Sequence, residues 1–299
     1  MSVFLYSNVT SGKCWETMQH DCQIGLVQME SHIGEREANF RRITHLAEVA
    51  SKKKISFLCF PECALDGYSP QHASELGDTI RSSATSRLKE CAEDLGITLL
   101  VGLVEHDNRA EKPYISHVIL SPGKEGMVYR KVHLGRSEQD YFTPGNQFPV
   151  FSSHGTTFAV GICWDWHFPE VAAIYSLKGA EIIFAPHASP VIAGDRKEIW
   201  LRYLGTRAYD NSVYLGACNL IGSNGKGKEF SGGTLTIGPK GEVILHTEVL
   251  EERIFISTLS AERINRIRRF DRVSMKDSFF LADRRKELYH ELLELDVQR

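Results

Sequence analysis

The chain has no Cys-x-x-Cys pair, and its seven cysteines (Cys14, Cys22, Cys59, Cys63, Cys91, Cys163 and Cys218) are odd in number and scattered. That pattern argues against a zinc site and against a redox dithiol. Two of them sit inside apolar runs, as in a reducing compartment, so the cytoplasm is the expected location. There is no excess of positive charge either. Lys and Arg number 35 against 38 Asp and Glu, a formal net charge of −3, and no basic stripe stands out. Nucleic acid is therefore not expected as a partner. No apolar run approaches the roughly 20 residues of a membrane span, so no membrane partner is expected. The patch Val3–Tyr6 lacks the basic flank and the length of a signal peptide.

Internal repeats, low-complexity stretches and dividing linkers are missing as well. What is present is globular: 299 residues, 42% hydrophobic and 24% charged, enough for a sizeable core without disulfides. The first 21 residues are polar and show no clear period, and they read as an N-terminal extension. Residues 22–299 read as one domain.

From Cys22 onward the pattern is α/β. Gln23–Met29 and Ile55–Phe60 read as strands around a helix over Glu35–Ser51, whose apolar face is Ile43, Ala47 and Ala50. A helix over Ser86–Leu95 has Gly96 as its expected left-handed cap. Strands follow at Thr98–Glu105, His117–Leu120 and Met127–Val132. The next unit is a strand over Thr157–Ile162, a helix over Pro169–Leu177 with proline at its favoured first position, and a strand over Ile182–Ala185. A helix over Arg196–Asp210, a strand over Val213–Asn219, a hairpin turning at Pro239-Lys240-Gly241 and a strand over Ile254–Leu259 come next. Basic helices over Glu262–Arg269 and Arg284–Leu293 close the chain.

Three strand ends carry unusual chemistry. Cys163 follows a buried strand at a sharp turn into a helix, the edge of an α/β sheet where ligands bind and where a tight turn presents a side chain outward. Glu62 follows the apolar run Phe57-Leu58-Cys59-Phe60-Pro61, where partial desolvation favours the neutral carboxyl unless a cation is near. Lys131 ends the run from Met127. Taken singly, each has an ordinary reading: a core thiol, a loop carboxylate, a surface lysine. Together, a thiol nucleophile, a carboxylate to move protons and an ammonium to stabilise an oxyanion make a complete acyl-transfer site.

Spacing alone does not bring these three together, but their ordered motifs resemble those of the nitrilase superfamily, the carbon–nitrogen hydrolases. The first block is Phe60-Pro61-Glu62 with Gly67-Tyr68. The second is Tyr129-Arg130-Lys131-Val132-His133-Leu134 with Glu138 and Phe142-Thr143-Pro144-Gly145, and the third is Gly161-Ile162-Cys163-Trp164-Asp165 with Phe168-Pro169-Glu170. Arg207–Asn211 and Gly232-Gly233 add to it. The resemblance spans about Cys22 to Leu293. It implies a four-layer α-β-β-α sandwich assembled as a homodimer or larger homo-oligomer through a helical face. It also implies a nucleophile at Cys163, a general base at Glu62, an oxyanion-stabilising cation at Lys131 aided by the N–H of Trp164, and an orienting carboxylate at Glu138. No metal and no organic cofactor is implied.

By the same resemblance, Cys-Trp-Asp followed by Phe-Pro-Glu is similar to the amidase and N-carbamoyl-amine hydrolase branches, with Asp165 as the discriminating residue. The expected partner is thus a small amide or carbamoyl compound. A nitrile hydrolase would use the same residues, and a non-catalytic interaction protein on the fold is the alternative from another class. Tyr68, Trp164, Trp166, Phe168 and His187 are the expected pocket residues. Where family members that take N-carbamoyl amino acids carry an arginine, Trp166-His167 stand here, so an uncharged or amine-bearing substrate is expected.

Overall fold

The computed structural model describes residues 17–247, 249–268 and 274–295. The first half runs β1 (Cys22–Gln28), α1 (Arg36–Ser51), β2 (Phe57–Cys59), α2 (Ser83–Leu95), β3 (Thr98–Glu105), β4 (Tyr114–Leu120) and β5 (Met127–Arg130). The second runs β6 (Phe151–Ser153), β7 (Thr156–Val160), α3 (Pro169–Leu177), β8 (Ile182–His187), α4 (Arg196–Asn211) and β9 (Tyr214–Asn219), then β10 (Ile221–Ser223), β11 (Glu229–Ser231), β12 (Thr234–Ile237), β13 (Val243–Thr247), β14 (Arg253–Leu259) and α5 (Ala261–Arg268).

Two six-stranded sheets result, in the orders β14-β1-β2-β3-β4-β5 and β13-β12-β9-β8-β7-β6. β1, β2 and β3 are parallel, as are β7, β8 and β9. The central strands are buried without alternation, because each sheet is covered on both faces. Between the sheets, the ring of Phe57 lies 5.0 Å from that of Phe158 and 5.9 Å from that of Phe184. The Cys218 thiol sits 3.9 Å from that of Cys59. Helices α1 and α2 pack together on one outer face. Helices α3 and α4 cover the other over a second core that contains Trp166, Tyr175, Trp200 and Leu204. The fold is therefore the expected four-layer α-β-β-α sandwich.

Differences from expectation have local causes. The Thr157–Ile162 strand stops at Val160, because the chain turns toward Cys163. The helix expected to start at Ser86 begins at Ser83, capped by the Ser82 side chain, which accepts from the Thr85 N–H. The closing segment is a 3₁₀ helix over Lys286–Leu293, with none of its residues buried. Its Leu288, Tyr289, Leu292 and Leu293 are exposed, so no apolar packing among the described residues holds an α-helix there. Arg269 of the preceding basic helix, and residues 1–16 of the N-terminal extension, lie outside the described residues. The rest of that extension packs onto the domain. Met18 is buried, its carbonyl accepts from Asn265, and Asp21 caps α5 at the Ala261 N–H.

Glu62, Lys131 and Cys163 all lie just beyond the carboxyl ends of strands (β2, β5 and β7) on one edge of the sandwich. The turn bearing Glu62 crosses directly over β3. A Cβ added at Gly102 would stand 2.4 Å from the Pro61 carbonyl oxygen and 2.5 Å from the Cys63 nitrogen. Both neighbours are backbone, so neither can move alone. Gly102→Ala is expected to destabilise the fold by about 1–3 kcal/mol and to displace Glu62. Denaturant unfolding alongside wild type checks this, and equal midpoints would refute the close-approach argument.

Candidate active site

The nucleophile turn is built by sterics. Cys163 adopts φ 46°, the left-handed region that L-residues seldom occupy. It opens a single 3₁₀ turn over Cys163–His167 that runs into α3 at Pro169. Gly161 has no side chain because the Trp166 indole lies against its Cα: an added Cβ would meet that ring at 2.4 Å. The indole N–H donates to the Gly161 carbonyl at 2.8 Å.

Asp165 locks this turn to the end of β5. One carboxylate oxygen accepts from the Ile162 N–H (2.8 Å) and the Tyr129 hydroxyl (2.7 Å). The other accepts from the His133 N–H (2.9 Å) and from His133 Nδ1 (3.0 Å). The residue is fully buried. All four bonds are internal, so Asp165 acts on the shape of the turn and not on a ligand.

Beside the turn lies a buried ion cluster. The Lys131 ammonium donates to Glu62 Oε1 and to Glu138 Oε1, both at 2.8 Å. Glu62 Oε2 accepts from the Ala188 N–H at 2.9 Å. Glu138 also accepts from the Tyr68 hydroxyl at 2.7 Å and the Gly135 N–H at 2.6 Å. Burial pushes the Glu62 carboxyl up to about 7, Lys131 pulls it down, and the Glu138 charge pushes it up again. Glu138 is held below the ordinary carboxylate value, because Lys131 and the donors around it outweigh its burial. For Lys131 burial opposes the charge, but the two carboxylates outweigh it and keep the ammonium well above its usual pKa. Burial and the Glu62 charge raise the Cys163 thiol to about 12. At neutral pH the cysteine is therefore a thiol.

Lys131, Glu138 and Cys163 line one cavity of about 500 Å³, with Glu62 hydrogen-bonded to Lys131 at its base. Of the expected pocket residues, Tyr68, Trp164 and His187 line it too. The Tyr68 hydroxyl, however, is committed to Glu138. His187 donates from Nδ1 to the Ala185 carbonyl (2.7 Å), so its Nε2 is left to accept from the Tyr203 hydroxyl (3.3 Å). Burial, together with the nearby Arg196 charge, keeps this imidazole well below its ordinary pKa and neutral.

Trp166 corrects the sequence reading. It is wholly buried in the core beneath α3 and α4, on the far side of the turn from the cavity. Phe168 also points elsewhere, stacked on His133 with ring centroids 3.9 Å apart. The sequence reading missed several lining residues, among them Arg136, His167, Ser189, Arg196, Ile199 and Tyr203. Ser189 Oγ lies 3.7 Å from the Cys163 sulfur, and Asn219 holds the Ser189 backbone from both sides. Arg196, Ile199 and Tyr203 recur at helical spacing along one face of α4, a signal legible in principle, although nothing in the chain says which face meets a cavity.

Among the described residues no cluster of His, Cys, Asp and Glu suits a metal ion, and no helix is long and apolar enough to cross a membrane. Comparison with known proteins gives a consistent picture. A family model described as carbon–nitrogen hydrolase matches residues 23–269. A nitrilase of Pyrococcus abyssi is 29% identical over 281 residues, 89% of this chain and 98% of its own length. An N-carbamoylputrescine amidase of Arabidopsis thaliana is 32% identical over 228 residues, 71% of this chain and 73% of that one. Among solved structures, a glutamate-to-leucine mutant of the amidase from Nesterenkonia sp. AN1 has TM-score 0.77 at 27% identity, over 93% of this chain and 98% of that one. In that structure the acetamide moiety of fluoroacetamide is added covalently at the active-site cysteine.

Asp165→Asn presents an amide N–H to groups that all donate, so at least one buried donor loses its acceptor. A loss of about 1–3 kcal/mol in stability is expected, with altered iodoacetamide labelling of Cys163. Unchanged unfolding and labelling would show that the turn does not depend on this carboxylate.

Proposed function

The chain belongs to the carbon–nitrogen hydrolase family of the nitrilase superfamily, and on that premise we propose that it hydrolyses a small amide or N-carbamoyl amine through a thioester on Cys163. The observation that carries this reading is the pairing of a protonated thiol with the Glu62–Lys131–Glu138 cluster at one cavity. The thiol attacks the amide carbon while Glu62 takes its proton. Lys131 has three N–H donors, two of them spent on the carboxylates. The third is left for the tetrahedral oxyanion, together with the Trp164 N–H at the start of the 3₁₀ turn, whose first donors have no partner within the turn. Removing one such donor typically costs ~3–4 kcal/mol of barrier. Glu62 then returns the proton to the departing nitrogen as the C–N bond breaks and ammonia leaves. A water molecule, deprotonated by Glu62, opens the thioester and releases the acid; from an N-carbamoyl compound the released carbamate breaks down to carbon dioxide and an amine. The cysteine adduct in the Nesterenkonia amidase supports sulfur as the attacking atom.

We further propose a homodimer, or a larger homo-oligomer, through the outer face of α3 and α4. A second cavity of about 770 Å³ there is lined by Phe168, Ile174, Leu281 and Leu292, and Leu292 and Leu293 are 62% and 91% exposed. Sedimentation velocity is expected to give at least twice the 33.7 kDa chain mass. A monomer at micromolar concentration would overturn the assembly.

Ammonia release is the primary test, on simple amides, N-carbamoyl amines and nitriles. Cys163→Ala should fold normally and release none. Activity confined to nitriles would keep the site and overturn the substrate class. Because the base must be ionised and Glu62 titrates at about 7, kcat/KM should rise with pH through that value and fall below it. The thiol, at about 12, adds no limb in the usual assay range. Glu62→Gln should lower the rate by roughly 10²- to 10⁴-fold and abolish the limb near 7. A limb that survives in Glu62→Gln assigns the base elsewhere.

A further inference from the structure

Of the cations that line the cavity and that the hydrolytic steps leave unused, Arg136 is exposed and Arg196 is half-buried; the second is the one built into the wall. It stands in the first turn of α4 and faces the same cavity as Cys163. Its stem is held in place: a Cβ on Gly233 would meet Arg196 Cγ at 3.2 Å, so the methylenes already rest on that backbone. Its head is held loosely. Among the described residues, the buried Nε has no hydrogen-bond partner. Nη2 reaches only the Pro190 carbonyl, at 3.4 Å, and the guanidinium carbon is 5.9 Å from the Trp200 ring. Asp195, the adjacent carboxylate, is turned back to cap α4 at the Glu198 N–H.

A guanidinium whose Nε is buried without an acceptor is costly to leave so. It presents a planar fork that matches a carboxylate with two parallel hydrogen bonds. Burial lowers its pKa from the usual arginine range, while the charges of nearby ionisable groups work the other way. The rest of the lining agrees in sign. Lys131, Arg136 and Arg196 face it against Glu138. Even with Glu62 counted behind Lys131, cations outnumber carboxylates, and both carboxylates are already bonded to that lysine.

We propose that Arg196 is a specificity-determining residue that binds a carboxylate at the far end of the substrate, so that the preferred substrates are monoamides of dicarboxylic acids. This rests on the hydrolytic reading of the Cys163 site and narrows it. It also reverses the expectation drawn from Trp166-His167. The stretch after the nucleophile supplies no cation, but α4, packed across the cavity, does. An amine-bearing substrate finds no free carboxylate among the described lining residues.

The test compares succinamate with its neutral counterpart succinamide, in wild type, Arg196→Gln and Arg196→Lys. Wild type is expected to favour succinamate in kcat/KM. Arg196→Gln should cut that selectivity ratio by about 10- to 100-fold, the effect of one charge-assisted pair, mainly through KM. Arg196→Lys should restore part of it. Wild type that turns over both amides without preference, or an Arg196→Gln variant that loses both equally, overturns the proposal and leaves the hydrolytic reading standing. Calorimetric titration with succinate reads the anion site without turnover. Succinate bound by wild type and not by folded Arg196→Gln supports the assignment even if no amide is cleaved, in which case the hydrolytic reading alone fails. Equal binding to both proteins overturns it.

Discussion

Lys131 satisfies two carboxylates at once while its own side chain is buried, and the site is arranged around that fact. A buried ammonium with one partner would leave a carboxylate or a proton unmatched, and breaking such a pair is costly. Here Glu138 is fully occupied by the Tyr68 hydroxyl, the Gly135 N–H and Lys131, so it stays ionised as a fixed counter-charge. Glu62 shares the same lysine with fewer other donors and titrates near neutrality. Two carboxylates of the same chemistry are thereby set apart as an anchor and a proton carrier by their surroundings, the pattern that identifies acid–base pairs generally. The lysine, in turn, keeps its charge because the carboxylates beside it outweigh its burial.

Holding this cluster against the nucleophile depends on the two sheets, because its parts come from both. Glu62 and Lys131 follow strands of the first sheet, Cys163 and Ala188 follow strands of the second, and the Ala188–Glu62 bond spans them. Asp165 supplies the other link, binding the cysteine turn to Tyr129 of the first sheet and to His133 just beyond it. The left-handed backbone at Cys163 persists because Asp165 and Trp166 fix the turn on either side. Side chains that sequence reasoning assigns to substrate thus serve the frame. The most buried of them, Trp166, exchanges contact with a ligand for the close packing that makes Gly161 obligatory.

Much of the fold was legible because apolar runs and caps are local signals. Thr98–Glu105 and Pro169–Leu177 form over the residues expected, and Gly96 takes the left-handed cap conformation. The convergence of Glu62, Lys131 and Cys163 was legible only through ordered motifs, since nothing in their spacing of tens of residues encodes proximity. What stayed hidden depends on tertiary placement alone. The hydroxyl of Tyr68 reads as a substrate contact until Glu138 is seen to accept from it. Arg196 reads as a helix-start residue until α4 is seen to turn that face to the cavity. The final 3₁₀ segment has helical periodicity in its sequence, but none of its residues is buried against the described chain, so that periodicity is not stabilised.

Charge ties these observations together. A thiol kept neutral at the cavity wall avoids adding another buried anion beside Glu62 and Glu138, and it forms its nucleophile only as the proton moves. A cavity arranged this way resists extra negative charge near Lys131, where the carboxylates already sit. An anionic substrate is therefore admissible only if its charge is held at a distance from them by a separate cation. Arg196, on α4 and without a carboxylate partner among the described residues, meets that requirement. Its placement keeps the amide end of the substrate uncharged where the chemistry occurs and orients the molecule by its opposite end.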